Sequence, residues 1–228
     1  MSRISIFLGV LATLAPGAAP ARADSAGKGV TVDKARRAVI IDAKVAPRKI
    51  NDPRYKEIYP IEVIACWAFP KGQKAHETIV TIEALPSDVH KALEGLGLKP
   101  GKPIKGDAKE KVAGPLVNVF IEVPDGSGGW RKVPVERTLV DPRSNKPMPK
   151  VKWHFTGSVR TKPDPAKPAT VYGADQTGTL IAIFPVTDET VMQTSLTMKE
   201  EKYLKLETNK KVLPPEGTAV RLVIEAAK

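Results

Sequence analysis

Ile61-Glu62-Val63-Ile64-Ala65-Cys66-Trp67, His76-Glu77-Thr78-Ile79-Val80-Thr81-Ile82-Glu83 and Pro86-Ser87-Asp88-Val89-His90-Lys91-Ala92-Leu93-Glu94-Gly95-Leu96 are the three runs whose reading decides the fold. The first two are rich in β-branched residues and read as strands. The loop between them, 68–75, is short enough for the two to pair as an antiparallel hairpin. In the third run Val89, Leu93 and Leu96 recur at helical spacing. Pro86 suits a first helical turn, Asp88 suits the positive end of a helix dipole, and Gly95 and Gly97 stop the helix. The spacing therefore predicts one amphipathic helix over 86–96.

Working outward, strands are expected at 116–123, 131–139, 151–156, 179–184 and 220–225, each bounded by Gly/Pro-rich turns. Upstream, Gly29 to Val45 reads as two short strands about a polar turn, and 46–59, with Pro47 and Pro53, reads as loop. The Lys/Pro-rich connectors at 97–113, 141–150 and 160–169 are expected to be exposed, and the first of them mobile. Many strands and one clear helix predict an α+β fold, a mostly antiparallel sheet with a single amphipathic helix at about 86–96. The expected organisation is a signal peptide over 1–23, an N-terminal β-hairpin and linker over 24–59, and one domain over 60–228.

The N-terminus places the protein. Arg3 precedes an apolar run from Ile4 to Ala15, and Ala21-Arg22-Ala23 forms an A-x-A box, the order of a secretory signal. A dozen apolar residues fall short of the roughly 20 a spanning helix needs. Cleavage after Ala23 is expected, with no transmembrane segment afterwards and a periplasmic or extracellular location. The charge of +11 stays strongly positive once Arg3 and Arg22 are removed. Such a surplus suits anionic envelope polymers or lipid head groups, and export argues against nucleic acid. Because the lysines are scattered over many segments, solubility is the favoured meaning of the charge. A single cysteine, Cys66, rules out an intramolecular disulfide, so packing must hold the fold.

Chemistry concentrates in 61–97, which holds Cys66 and two of the three histidines. In the expected hairpin Cys66 faces His76 or Glu77, and His90 on the helix borders the apolar stripe. A thiolate, two imidazoles and a carboxylate suit a divalent metal, or a Cys-His pair with an activated thiol. The spacing is unlike that of structural zinc sites, and a buried, inert Cys66 with hydrogen-bonded histidines is the favoured reading. Cys66, His76 and His90 are thus the candidate metal ligands, with Glu77 and Trp153 as candidate ligand contacts and no residue assigned to catalysis. Trp153 shares a strand face with Phe155, which suits core packing better than a binding platform. No G-x-S-x-G, H-E-x-x-H or phosphate-cradling loop is present.

Several of these runs together resemble a known family. Ile61 to Cys66, then Gly72, Lys74, His76-Glu77, Pro86 to Leu93 and Gly95-Leu96-Gly97-Leu98-Lys99-Pro100-Gly101 are similar in order and spacing to the YdjY-type domain of bacterial exported proteins. So are Trp153-His154-Phe155-Thr156-Gly157-Ser158, Tyr172-Gly173-Ala174-Asp175 and the apolar strand at 180–184. The resemblance covers most of 30–226 and implies an extracytoplasmic α+β domain of unknown function, with attention drawn to Cys66, His76, Glu77 and His90. Some members carry iron–sulfur annotations, but one cysteine cannot supply four thiolates, so no iron–sulfur cluster is carried over. The favoured function is a non-enzymatic binding or interaction module of the cell envelope, with an envelope partner or small ligand. The alternative is a metal- or thiol-dependent site at Cys66, His76, Glu77 and His90.

Overall fold

The computed structural model describes residues 24–227, so the expected signal peptide lies outside the described residues. The N-terminal strands are β1 (Asp24–Gly27), β2 (Val30–Asp33) and β3 (Ala38–Val45), followed by β4 (Val63–Trp67) and β5 (Thr78–Ile82). Then come β6 (Leu116–Pro124), β7 (Trp130–Pro134), β8 (Trp153–Phe155), β9 (Thr179–Ala182), β10 (Met192–Thr194) and β11 (Ala219–Ala226). These 11 strands form one sheet, which runs β3-β11-β6-β8-β10-β9-β4-β5 and returns from β5 to β3. The ring closes an eight-stranded barrel. β1 and β2 extend it from the N-terminal part of β3, and β7 pairs with β6 alongside.

The α+β expectation is therefore overturned: the fold is a mostly β closed barrel in which helix makes up only 14%. A ten-residue helix, α1, does occupy Pro86–Gly95, but it forms no layer on an open sheet. It buries Val89, Ala92 and Leu93 and contacts β1, β2 and β3 at the side of the barrel. The physical reason is that the sheet's apolar face is buried against itself once the strands curl into a ring, and no helical layer is required.

Alternation along the long strands fills the interior. Ile41, Ala43 and Val45 of β3, Val119, Ile121 and Val123 of β6, and Val220, Leu222 and Ile224 of β11 are all buried, while Asp42 and Lys44 between them face solvent. In β9 and β10 every residue is buried, as in strands covered on both faces. The expected hairpin of 61–83 is also corrected. β4 and β5 are neighbours but run parallel, with Ala65 opposite Val80 and Cys66 opposite Thr81, and 75–77 is a short 3-10 turn. Parallel neighbours require the chain to travel back between them. Residues 68–77 do so by folding over β4, so closely that a Cβ on Gly72 would sit 1.9 Å from the Trp67 carbonyl oxygen and 2.9 Å from Cys66 Sγ.

The connector at 97–113 is not free either. The buried Gln193 side chain accepts the Ile104 N–H at 2.9 Å and donates to the Ile104 carbonyl at 2.8 Å, and Ile104 is itself buried. In urea titrations of residues 24–228, Gly72→Ala is expected to cost about 2 to 4 kcal/mol, the range of a severe backbone clash. Gly95→Ala, whose Cβ meets nothing within 4 Å, should gain about 0.5 kcal/mol from helix propensity. Equal effects of the two substitutions would contradict the folded-back path of 68–77.

Candidate functional site

Of the residues that the sequence grouped, Cys66 lies beside the segment of Lys74 to Glu77, whereas His90 has other partners. Cys66 is fully buried, with Sγ 3.9 Å from the Thr177 carbonyl oxygen. Burial pushes its thiol up to about 11, so at neutral pH it is neither a nucleophile nor a ready metal ligand. Trp153 is 2% exposed and its indole N–H donates to Glu136 at 2.9 Å.

His76 and Glu77 belong to a buried polar cluster where β4 and β5 begin. Lys74 Nζ lies 2.5 Å from Glu77 Oε1 and 3.6 Å from Glu62 Oε2, and His76 Nε2 lies 3.7 Å from Glu77 Oε1. Burial, reinforced by the Glu77 carboxylate, raises the Glu62 carboxyl to about 7. Burial also holds His76 below its usual value, helped by the charges of Lys74 and Arg48. Burial works to lower Lys74 as well, but the Glu77 and Glu62 carboxylates outweigh it and keep the ammonium charged. Above this cluster the His76 ring stacks on Tyr55 at 4.3 Å and meets the Tyr59 ring edge-on at 5.2 Å. Arg48, 6% exposed, ties the same region down through Glu207 at 2.7 Å and the carbonyls of Tyr59 and His76.

His90 sits in a second constellation. Its Nδ1 is 2.7 Å from the Tyr172 hydroxyl and its Nε2 is 3.5 Å from Glu94 Oε2, one helical turn along α1. The Phe155 ring meets it edge-on at 5.0 Å. Asp175 accepts the Ser87 N–H at 2.9 Å, and Ser158 Oγ accepts the Ala174 N–H at 3.0 Å while donating to the Val159 carbonyl at 3.2 Å. Gly157, at φ +66, leaves no room for a side chain, since a Cβ there would lie 2.9 Å from Pro100 Cβ and 3.2 Å from His90 Cε1. Burial raises the Tyr172 phenol above its usual value, so it stays protonated and suits donation to His90. Among the described residues no three His, Cys, Asp or Glu side chains converge as metal ligands would.

A groove of about 540 Å³ lies where β2 and β5 diverge from β3. Ala43, Ile82, Ala84 and Val220 line it together with Lys44, Trp130 and Arg221. The Arg221 guanidinium lies 4.2 Å from the Trp130 ring centroid, and Trp130 is 38% exposed.

The YdjY domain family model matches residues 30–225. The chain belongs to the YdjY domain family. No curated protein and no solved structure matches it. The YdjY-like segments 86–90, 153–158 and 172–175, far apart in sequence, meet in the His90–Tyr172 constellation. Sequence reasoning singled out His90 but passed over Tyr172 as a partner. It also passed over Glu62 and Lys74, although a lone carboxylate between Ile61 and Val63 in a buried strand was a usable signal.

Glu62 gives the cluster a pH signature. Its folded pKa is raised from 4.5 to about 7, so its stabilisation is complete below 4.5 and lost as pH rises through 7. His76 is depressed from 6.5 and opposes this at acid pH, where it loses stability as pH falls. The opposition fades over about one pH unit above 6.5, as the unfolded imidazole loses its proton, and beyond that the Glu62 contribution dominates. Between pH 6.5 and 8.5 the protein should lose stability on the order of 1 kcal/mol, and Glu62→Gln should abolish most of that slope in urea titrations. An unchanged slope in the variant would place Glu62 outside the cause.

Proposed function

We propose that this YdjY-domain chain is a non-enzymatic binding module that works outside the cytoplasm and takes a small ligand or an extended partner segment in the groove beside Trp130. The observation that carries the reading is the contrast between this groove and the two ionisable clusters. In the clusters most polar groups hold one another, Lys74 with Glu77 and Glu62, His90 with Tyr172, Ser158 with Ala174 and Val159, while His76 Nδ1 is buried without a hydrogen-bond partner. The groove carries one matched pair, Lys28 with Glu83 at 2.7 Å, and beside it offers a partly exposed indole and Lys44 with no carboxylate within 4 Å among the described residues. Its volume of about 540 Å³ falls within the roughly 300 to 1,000 Å³ of small-molecule sites. Aromatic and arginine side chains are also those that most often carry binding energy. Export rests on the N-terminal sequence.

A fragment screen by NMR on residues 24–228 tests this. Hits should perturb Trp130, Lys44 and Ala219, and Trp130→Ala should weaken them at least about 10-fold. Turnover of a broad hydrolase or thiol-redox substrate panel at about 1 s⁻¹ or faster, abolished by Glu62→Gln or His90→Ala, would overturn the reading.

A further inference from the structure

We propose that the barrel end formed by residues 58–61, 137–152 and 195–211 is a docking face for an anionic lipid bilayer. The segments lie side by side. A three-stranded ribbon joins Leu139–Asp141 to Lys146–Pro147 and Glu207–Thr208. Asn209 Nδ2 donates to the Arg137 carbonyl at 3.1 Å, the Ser195 N–H to the Lys152 carbonyl at 3.1 Å, and the Ile61 N–H to the Leu206 carbonyl at 2.8 Å. Arg143 also donates to the Tyr203 carbonyl, which sets the short helix Met198–Tyr203 against the ribbon.

On this end the acids are used internally. Asp141 is held by Arg143, Glu201 by Lys205 and Glu207 by Arg48, while Glu200 closes the capping box with Thr197 and Glu136 accepts the Trp153 indole. The cations are not matched. Arg137, Lys146, Lys210 and Lys211 on the ribbon are exposed and, among the described residues, have no carboxylate within 4 Å. The same holds for Lys150 and Lys152 before β8 and for Lys199 and Lys202 on the helix. A positive field of this kind attracts any polyanion.

A second, independent feature selects a bilayer. The two most exposed large hydrophobic side chains of the described residues, Tyr203 at 66% and Ile58 at 56%, both belong to this end. The Ile61–Leu206 hydrogen bond brings their segments together. An exposed isoleucine and tyrosine on an end that carries unpaired lysines suit the headgroup boundary, where the aromatic ring inserts and the cations meet lipid phosphates. A soluble polymer would reward the cations but not the exposed Ile58. No helix among the described residues is long and apolar enough to cross a membrane.

The test is co-sedimentation of residues 24–228 with phosphatidylcholine vesicles carrying about 30% phosphatidylglycerol, in low salt. Binding should be strong, fall steeply with added salt, and be absent with phosphatidylcholine alone. Replacing Lys146, Lys150, Lys199 and Lys202 together by Gln should weaken it at least about 30-fold. A control with the same loss of charge, Lys99, Lys109, Lys111 and Lys162 to Gln, alters exposed and equally unpaired lysines on the other connectors and should weaken it less than about 3-fold. Tyr203→Ala should weaken vesicle binding about 5-fold and leave heparin binding unchanged. Equal losses in the two quadruple variants would overturn the face. Heparin binding without vesicle binding, or indifference of vesicle binding to Tyr203→Ala, would overturn the bilayer. Circular dichroism of each variant separates loss of binding from loss of fold.

Discussion

Barrel closure depends on a seam of three residue pairs, Ala43, Lys44 and Val45 of β3 against Ile82, Thr81 and Val80 of β5. Without it β5 would be an open edge with unpaired backbone groups, and the apolar face made by β3, β6 and β11 would need another cover. β5 meets β3 antiparallel in this seam because it lies parallel to β4, whose direction is fixed around the rest of the ring. That arrangement is bought by the tight return of 68–77 across β4, where Gly72 leaves room for the Trp67 carbonyl. The same return delivers Lys74, His76 and Glu77 to the place where Glu62 enters β4, so the polar cluster is a by-product of closing the ring.

This dependence explains what was legible in the sequence. The long strands β3, β6 and β11 announce themselves by alternation, since Ile41, Val119 and Leu222 face one interior while Asp42 and Lys44 face water. The local pattern of Pro86 to Gly95 likewise marks its helix. The sense of pairing between β4 and β5 is not local. A ten-residue link between two apolar runs looks like a hairpin loop, and its parallel return is set by contacts with Trp67, Cys66 and the barrel seam. Fold class failed for the same reason, because closure is a property of the β3–β5 pairing and leaves no mark on either strand. β10 was missed since Met192-Gln193-Thr194 lacks β-branched alternation; its place is secured by Gln193, whose buried amide holds Ile104 and the Thr187 carbonyl.

The site residues divide along the same line. His90 and Tyr172 are 82 residues apart, and only the meeting of α1 with the segment before β9 makes them partners. Cys66 and His76 would face each other in a hairpin, whereas the parallel register sets Cys66 against Thr81 and brings the return segment of Lys74 to Glu77 across the thiol instead. A half-buried lysine between two carboxylates is a costly arrangement unless every charge is matched, and here the match is partial, which is why Glu62 holds a proton near neutrality. Such clusters fix geometry more than they add stability, and this one anchors the Tyr55 and Tyr59 loop to the barrel end.

An eight-stranded barrel has an interior that side chains alone can fill, and this one fills it with Val, Ile, Leu and Phe. Any recognition by this fold must therefore fall on its outer wall or its loop-bearing ends, which can vary without disturbing the core. The distribution of charge fits that division of labour. On the wall, Arg36, Glu122, Glu225 and Lys132 neutralise one another across β11 and β6. At the ribbon end the acids are spent on capping, on Arg48 and on the Trp153 indole, and the lysines are left over. The scatter of basic residues along the sequence, which reads as solubility, gathers into a local surplus there because folding engages the acids of those segments and leaves most of their lysines unpaired.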